Sequence, residues 1–532
     1  MSGLLTATQM RALEAAAMAA GEASGLELME RAGRGVVAAV LTEWPELAAG
    51  SAHAVVLCGP GNNGGDGYVI ARLLDDAGWR VAVHALTAPG TEDAATMAAR
   101  WRGGVSGLSA LRREDLADRP LVVDALFGTG LTRPISPAVG GALRMARAAG
   151  CRIVAVDVPS GLCADSGRYL AEDAAQGWQA DLTVTFESAK LGHMLADGPG
   201  MCGRLAVVPL GLNRGLRDLA RTAGAVQRAS VPARDLIKAG GHKFCHGHAL
   251  ILSGRSGQGG AARMAARGAL RIGAGLVTLG CPAEAVPENA ARLDAVMLKA
   301  VEDANALAEV LKDPRINALC LGPGLGLDGR AAGLLGVALG WRGEPRRGLV
   351  VDADALTLLS RDPALFAMLH PGCVLTPHAG EFARLFPDIA ARLDAPAKMG
   401  PAYSKVDAAR EAARRAGCVV LFKGADTVIA APDDTCAISA AVYDRAAPWL
   451  ATAGSGDVLA GFITGLLARG FAPQQAAESA AWLHVECARS FGPGLIAEDL
   501  PEELPGVFRA LQGGSAQATT GSASQASSRP PT

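Results

Sequence analysis

The strongest constraint on what this chain can fold into is a rhythm. Short runs rich in valine and leucine, AVVLCG, RVAVHAL, LVVDALFGTG, RIVAVDVPSG, LTVTFESAK and RLAVVPLG, alternate with segments of helical periodicity through the first part of the sequence. Strands so continuously apolar belong in a parallel sheet covered by helices on both faces, because a sheet with one wet face would alternate polar and apolar side chains. After residue 245 the rhythm restarts with HALILSG, LVTLGCP, ALCLGPGLG, GLVVDADAL, CVLTPHAGE and CVVLFKGADTVIAAP. Two separate parallel α/β sheets are expected, and 532 residues are enough for two such cores.

Between them RTAGAVQRASVPARDL, residues 221–236, loses the strand pattern and carries a proline. It reads as a linker between domains over 1–220 and 237–512. The closing GGSAQATTGSASQASSRPPT, residues 513–532, has little to bury and reads as a disordered tail.

Fifty basic and 52 acidic side chains leave a formal charge of -2, which gives no electrostatic case for nucleic acid or an anionic membrane. No apolar run approaches the ~18 residues that span a bilayer, and no charged leader precedes an apolar block, so a cytoplasmic location is expected. The 11 cysteines form no CxxC pair, and Cys58, Cys151, Cys320 and Cys418 sit in or beside apolar strands, as reduced packing residues do. GHKFCHGH brings His242, Cys245, His246 and His248 together, but zinc sites draw ligands from two separated pairs, and no second pair is present. The cluster is assigned to a loop entering a strand, without a metal.

In parallel α/β sheets ligands collect beyond the carboxyl ends of the strands. Three such ends are unusually polar here: Asn62, Asn63 and Asp66 in NNGGDG, Asp124 in VVDALFGTGLTRP, and Asp157 with Ser160 in VAVDVPSG. Gly64, Gly65 and Gly67 would let backbone N–H groups approach an anion at the start of a helix. Asparagine and aspartate beside that anion make sense with a cation between them, and oxygen-only ligands suit a hard one. The alternative is that these residues only cap a helix and form turns.

LELMERAG, GPGNNGGDG, DALFGTGLTRP and VDVPSG together resemble the N-terminal, Rossmann-like epimerase domain of the bifunctional NAD(P)H-hydrate repair enzymes. The resemblance implies that Asn63, Asp124 and Ser160 bind potassium. It implies that Asn62, Asn63, Gly64, Gly65 and Asp66, with Gly128, Thr129, Gly130, Leu131, Thr132, Arg133 and Pro134, line the hydrated nucleotide, and that Asp157 touches its reacting ring as the acid/base group. Some family members place a lysine where this chain has Arg133. Lys190 in FESAKLGH fits a family position, although a lysine ending a strand is more often solvated.

The second half carries AGSGDVLAGFITGLL, in which Val458, Leu459, Phe462, Ile463, Leu466 and Leu467 fall at helical spacing. That puts Gly454 to Gly456 in a turn at a helix N-terminus with Asp457 in the first turn. Free backbone donors there can stabilise a phosphoryl group in transfer while the carboxylate accepts a proton from an attacking hydroxyl. With HGHALILSGRSGQGG, LGPGLG, VVDADAL, TPHAGEFARL and KGADT, this pattern is similar to the ribokinase-like dehydratase domain of the same family. The resemblance implies that Ala261, Gly326, His378 and Asp457 contact the hydrated nucleotide and that Lys423, Gly424, Ala425, Asp426, Thr427 and Gly456 hold ADP with Mg2+. Asp457 would activate the C6 hydroxyl for attack on ADP, and the phosphorylated intermediate would expel phosphate, leaving AMP and NAD(P)H. Glu381 would support the phosphates or only cap its helix. Phe244 stands where the family usually has a glycine soon after GHK, which leaves Lys243 unassigned.

Epimerisation of hydrated NADH and NADPH, followed by ADP-dependent dehydration of the S form, is therefore expected, with small-molecule partners and a homo-oligomer. The alternative is a vitamin-precursor kinase of ribokinase-like fold fused to a nucleotide-binding scaffold. Preference between NADH and NADPH, oligomer size and a second acid/base in the epimerase site stay open.

Overall fold

The computed structural model describes residues 3–48, 52–170, 178–212, 215, 224–231, 236–238, 240–341, 343 and 346–523. The chain forms two compact units, one of residues 1–227 with 392–407 and one of residues 228–391 with 408–532. Within the stretch expected as a linker, 221–223 and 232–235 lie outside the described residues.

In the first unit a short strand β1 (Gly3–Leu4) precedes helix α1 (Ala7–Ala19), whose start is fixed by reciprocal bonds between Thr6 and Gln9. Met10, Leu13 and Ala17 form its buried stripe. Then follow α2 (Gly25–Glu43), β2 (His53–Cys58), α3 (Asn62–Asp76), β3 (Arg80–Ala85), α4 (Glu92–Arg100), β4 (Val105–Gly107), β5 (Leu121–Ala125), α5 (Pro137–Ala148), β6 (Ile153–Val156), β7 (Leu182–Phe186), α6 (Gly198–Cys202) and β8 (Arg204–Val208). Seven parallel strands run in the order β4-β3-β2-β5-β6-β7-β8. A further strand, β9 (Val226–Arg228), pairs antiparallel with β1.

Close approach explains one glycine of the loop after β2. A Cβ on Gly64 would lie 1.9 Å from the Gly59 carbonyl oxygen, so the first turn of α3 can seat on the strand end only without a side chain there. Residues 392–407, which the sequence places in the second half, pack in this unit. Gly400 N–H donates to the Thr132 carbonyl (2.9 Å), Ala402 N–H to Cys163 Sγ (3.4 Å), and the Arg168 guanidinium to the Ala395 carbonyl.

The second unit holds β10 (His248–Leu252), β11 (Leu276–Cys281), β12 (Met297–Ala300), β13 (Ile316–Leu321), β14 (Gly348–Val351), β15 (Cys373–Leu375), β16 (Val419–Phe422), β17 (Asp426–Ala430) and β18 (Cys436–Ala440). The order is β18-β17-β16-β15-β14-β13-β10-β11-β12; the hairpin ribbon β16-β17-β18 is antiparallel and the other pairings are parallel. The α/β class and paired parallel sheets expected from the sequence are present, with the β17–β18 hairpin as an addition.

The helix Ser455–Ala468 is apolar all round and crosses the alanine-rich helix Gly260–Arg271 at backbone distance: a Cβ on Gly461 would lie 2.1 Å from the Ala265 carbonyl oxygen. The last helix, Asp499–Ala523, is anchored by Leu500, Leu504 and Val507. It runs into the stretch expected to be disordered as far as Ala523, and 524–532 lie outside the described residues.

All 11 cysteines are free thiols, and Cys245 is the exposed one. No helix of the described residues is long and apolar enough to cross a membrane. Gly461→Val should destabilise the second unit by about 1–3 kcal/mol through overpacking at the helix crossing. Urea unfolding of the full chain reads this, and an unchanged midpoint would contradict the close crossing.

Candidate active sites

The strand order of the first unit reverses between β2 and β5, and the polar strand ends meet at that reversal. A cavity of about 490 Å³ is lined by Asn62, Asn63 and Asp66 from the loop and first turn after β2, Phe127 to Arg133 after β5, and Asp157 after β6. Of the residues assigned to the hydrated nucleotide, Gly64, Gly65 and Pro134 are not on its wall. Gly128 passes between two of the polar groups: a Cβ on it would lie 2.9 Å from Asn63 Oδ1 and 3.1 Å from Asp157 Oδ2.

Asp157 has φ 65°, left-handed for a non-glycine residue, and its position is fixed from every side. Its Oδ1 accepts from Lys190 Nζ (2.9 Å) and Thr185 Oγ1 (2.9 Å), and its Oδ2 accepts from Thr129 N–H (3.2 Å). His193 Nδ1 accepts from Lys190 N–H, so Nε2 carries the proton and donates to the Asp157 carbonyl (3.0 Å). Lys190 is not solvated, as a lysine ending a strand more often is: it is 0 % exposed, and its ammonium also meets Thr185 Oγ1, the Phe186 carbonyl and the Ser188 carbonyl. Burial acts to raise the Asp157 carboxyl, but the Lys190 ammonium outweighs it and holds the group below the usual carboxylate range.

Asp124 is fully buried. Its oxygens accept from Ser160 Oγ (2.6 Å), Ser160 N–H (2.8 Å) and Leu126 N–H (3.3 Å). Burial pushes it up to about 6, opposed by hydrogen bonds from Ser160 and Leu126. Asn63 Nδ2 is buried and has no hydrogen-bond partner among the described residues. A buried carboxylate, a hydroxyl and an amide oxygen form a donor set that fits a hard cation.

In the second unit the order reverses between β10 and β13, and again the chemistry sits at carboxyl ends. Gly454, at φ 86°, turns the chain into the helix Ser455–Ala468 and places Asp457 in its first turn. Lys423, after β16, pairs with Asp352 (2.8 Å) and lies 3.7 Å from Glu381. Burial opposes the Lys423 ammonium, yet Asp352 and Glu381 raise it. Asp457 is pushed up to about 6 by burial first and then by the Asp352 charge, with Lys423 pulling the other way and Asp354 and Glu381 adding to the rise.

Beside this cluster lies a cavity of about 540 Å³, walled by Lys423, Gly424, Ala425, Thr427, Ser455 and Gly456 and by apolar Leu450, Leu459 and Val485. Asp426 is not on its wall; it starts β17 opposite Ala440. Asp457 also lies off the wall, so Lys423 joins the cavity to the carboxylate cluster. The Gly326 N–H donates to Asp354 Oδ2 (2.9 Å), and Ala261 opens the helix Gly260–Arg271. His378 caps the helix Ala379–Leu385, accepting at Nδ1 from Gly380 N–H, with Glu381 Oε1 3.4 Å from its Nε2. Glu381 therefore both caps its helix, through the His378 N–H (2.8 Å), and faces Lys423.

Some functional side chains escaped sequence reasoning. Glu14 lines the first cavity from α1, and Thr185 and His193 hold Asp157. His484 lines the second cavity with its Nε2 2.9 Å from the Ser455 carbonyl, and burial holds it down at about 4. The FESAKLGH spacing could have flagged His193; nothing in the helical pattern distinguished Glu14. In the histidine and cysteine cluster after residue 241, Cys245 Sγ lies 3.6 Å from the His242 ring nitrogens, and His248 is buried with its Nε2 2.8 Å from Thr278 Oγ1.

The family described as YjeF-related protein N-terminus matches residues 25–192, and that described as NAD(P)H-hydrate dehydratase matches residues 249–504. The bifunctional NAD(P)H-hydrate repair enzyme of Moorella thermoacetica is 36% identical across 96% of this chain and 97% of its own. The chain belongs to the bifunctional NAD(P)H-hydrate repair enzymes. The Escherichia coli repair enzyme is 33% identical over 89% of this chain and 88% of its own, and an NAD(P)H-hydrate epimerase of Rhodobacter capsulatus is 44% identical over 40% of this chain and all of its own. A solved ADP/ATP-dependent NAD(P)H-hydrate dehydratase from Bacillus subtilis, co-crystallised with ATP/Mg2+, is 26% identical and covers 52% of this chain and 96% of that one, with a TM-score of 0.43. This repair enzyme thus joins an epimerase domain to a kinase-like dehydratase domain.

Lys190→Met should cost about 3–5 kcal/mol, because it leaves the buried Asp157 carboxylate unpaired. Lys190→Met with Asp157→Asn should cost less than the two singles together. A carboxyl held low stabilises the fold above its unfolded value of about 4 and loses that contribution as pH falls through the folded value, so the penalty should shrink in acid. Denaturant unfolding across pH measures this; strictly additive singles would rule out the pairing.

Proposed function

We propose that the two units act in sequence on hydrated NADH and NADPH in the cytoplasm: the first interconverts the R and S epimers at C6, and the second dehydrates the S epimer with ADP, releasing AMP and phosphate. The observation that carries the reading is Asp457, seated in the first turn of a glycine-capped helix within the field of Lys423, which lines an apolar cavity. ADP enters that cavity with its base against Leu450, Leu459 and Val485 and its phosphates towards Lys423 and Gly456. Mg2+ comes with those phosphates and neutralises charge on them.

Asp457 takes the proton of the C6 hydroxyl as that oxygen attacks the terminal phosphorus of ADP, and AMP departs. The ring-nitrogen lone pair then expels phosphate from C6, and loss of a proton from C5 restores the dihydronicotinamide ring. His378, Gly326 and Ala261 hold the hydrated nucleotide at this step. In the first unit Asn63, Asp124 and Ser160 hold potassium, which would supply the positive charge that the buried Asp124 lacks. The glycine-rich loop and residues 128–134 bind the nucleotide, and Asp157, kept ionised by Lys190, serves as base at the ring.

Mixed epimers of hydrated NADH supplied with ADP and Mg2+ should regain the near-ultraviolet dihydronicotinamide absorbance. Asp457→Asn should abolish that return, while Asp157→Asn should leave only the S epimer promptly converted. Accumulation of a phosphorylated product in place of released phosphate would replace this reading with that of a kinase. Because Asp457 must be ionised and stands at about 6, dehydration should slow roughly tenfold for each pH unit below that value. A rate flat from pH 7 down to pH 4.5 would exclude Asp457 as the base.

A further inference from the structure

The epimerase cavity has a wall that the glycine loop and strand ends do not supply. Arg11, Glu14 and Met18 follow one another at helical spacing along α1, and all three line it. The buried stripe of the same helix, Met10, Leu13 and Ala17, packs into the core, so α1 is held in place while it presents this second stripe. Arg11 bonds within its own turn to Thr8 (3.4 Å). Glu14 is half-buried on the cavity wall and makes no hydrogen bond or ion pair among the described residues.

Inversion at C6 moves protons on both faces of the ring. The hydroxyl must leave as water from one face, and water must add to the other. Asp157 alone is tied to Lys190, Thr185 and the Thr129 N–H, and Lys190 is engaged with four oxygens, leaving no spare donor. We propose that Glu14 is the second acid/base residue of the epimerase: its carboxylic acid protonates the departing C6 hydroxyl, while Asp157 takes a proton from the water that adds to the opposite face. The C6–O bond breaks with its electron pair going to the water formed, and the ring-nitrogen lone pair makes the planar C6–N1 double bond. A new C6–O bond then forms from water, returning that pair to nitrogen. One water leaves and one enters, Glu14 ends ionised and Asp157 protonated, and exchange with solvent resets both. The inference rests on the epimerase reading of this cavity.

The charges facing Glu14 fit the role. Burial and the Asp157 carboxylate push it up to about 7, with Lys190 and Arg11 opposing, while Asp66 on α3 feels both Glu14 and Asp157. Asp93 and Arg133 lie on the same wall. Burial first, then the Asp157 and Glu14 charges, raise Asp66 well above the usual carboxylate range. At about 7, Glu14 is poised to exchange its proton near neutral pH.

The test uses the full chain with the R epimer of hydrated NADH, ADP, Mg2+ and potassium, with the S epimer in parallel as a readout of the second unit. Glu14→Gln should lower kcat for epimerisation by about 10²–10⁴-fold while S-epimer conversion stays at the wild-type rate. The wild-type rate should fall above about pH 7; Glu14→Gln should lose that alkaline limb, and Glu14→Asp should restore part of the rate and the limb. A wild-type rate in Glu14→Gln with Asp157→Asn inactive would overturn the role of Glu14 alone. Both variants at the wild-type rate would overturn the site itself. A rate lowered in Glu14→Gln with the alkaline limb intact would mark Glu14 as structural and also overturn the proposal.

Discussion

Where the order of parallel strands reverses, the connections after two neighbouring strands leave on opposite faces of the sheet, and a cleft opens at the carboxyl edge between them. The first unit is organised by this constraint, between β2 and β5; in the second the order reverses between β10 and β13, and the charged cluster stands beside that reversal, at the ends of β14, β15 and β16. Residues far apart in sequence, Asn63, Asp124 and Asp157, or Asp352, Lys423 and Asp457, meet because each ends a strand or opens the helix beside one. The apolar interiors need only be valine, leucine and alanine, so the specificity sits in a few terminal positions.

The two units then use a buried lysine to opposite ends. Lys190 bonds Asp157 directly and keeps it anionic. Lys423 bonds Asp352 instead, and burial first, then the Asp352 charge, push Asp457 up to about 6. A carboxylate fixed as an anion suits a group that receives protons from water, whereas one poised near the working pH can take a proton from an alcohol and return it. Direct contact with the lysine, rather than its mere presence, separates these cases.

Strand rhythm and strand-end polarity made both sheets, the glycine-capped helix and the polar strand ends readable from the sequence; the strand order that brings those ends together was not. What stayed hidden has physical reasons. The β17–β18 hairpin lies within and just after an apolar run that also suits a parallel strand, and period alone does not tell the two apart. Lys190 follows its strand as a surface lysine would, and only the fold reveals four oxygens gathered around its ammonium. Gly64 was read as an opening for an anion, but it is needed where α3 meets the Gly59 carbonyl. Glu14 sits on an alanine-rich helix whose second stripe gains meaning only once the cavity stands beside it.

Residues 392–407 leave the second sequence half and return to it, and Gly400 rests on Thr132 in the loop that walls the epimerase cavity. The two activities are thus interleaved along the polypeptide rather than strung end to end. Splitting the gene after residue 227 would give a first product without the Gly400 contact to the loop that walls its cavity.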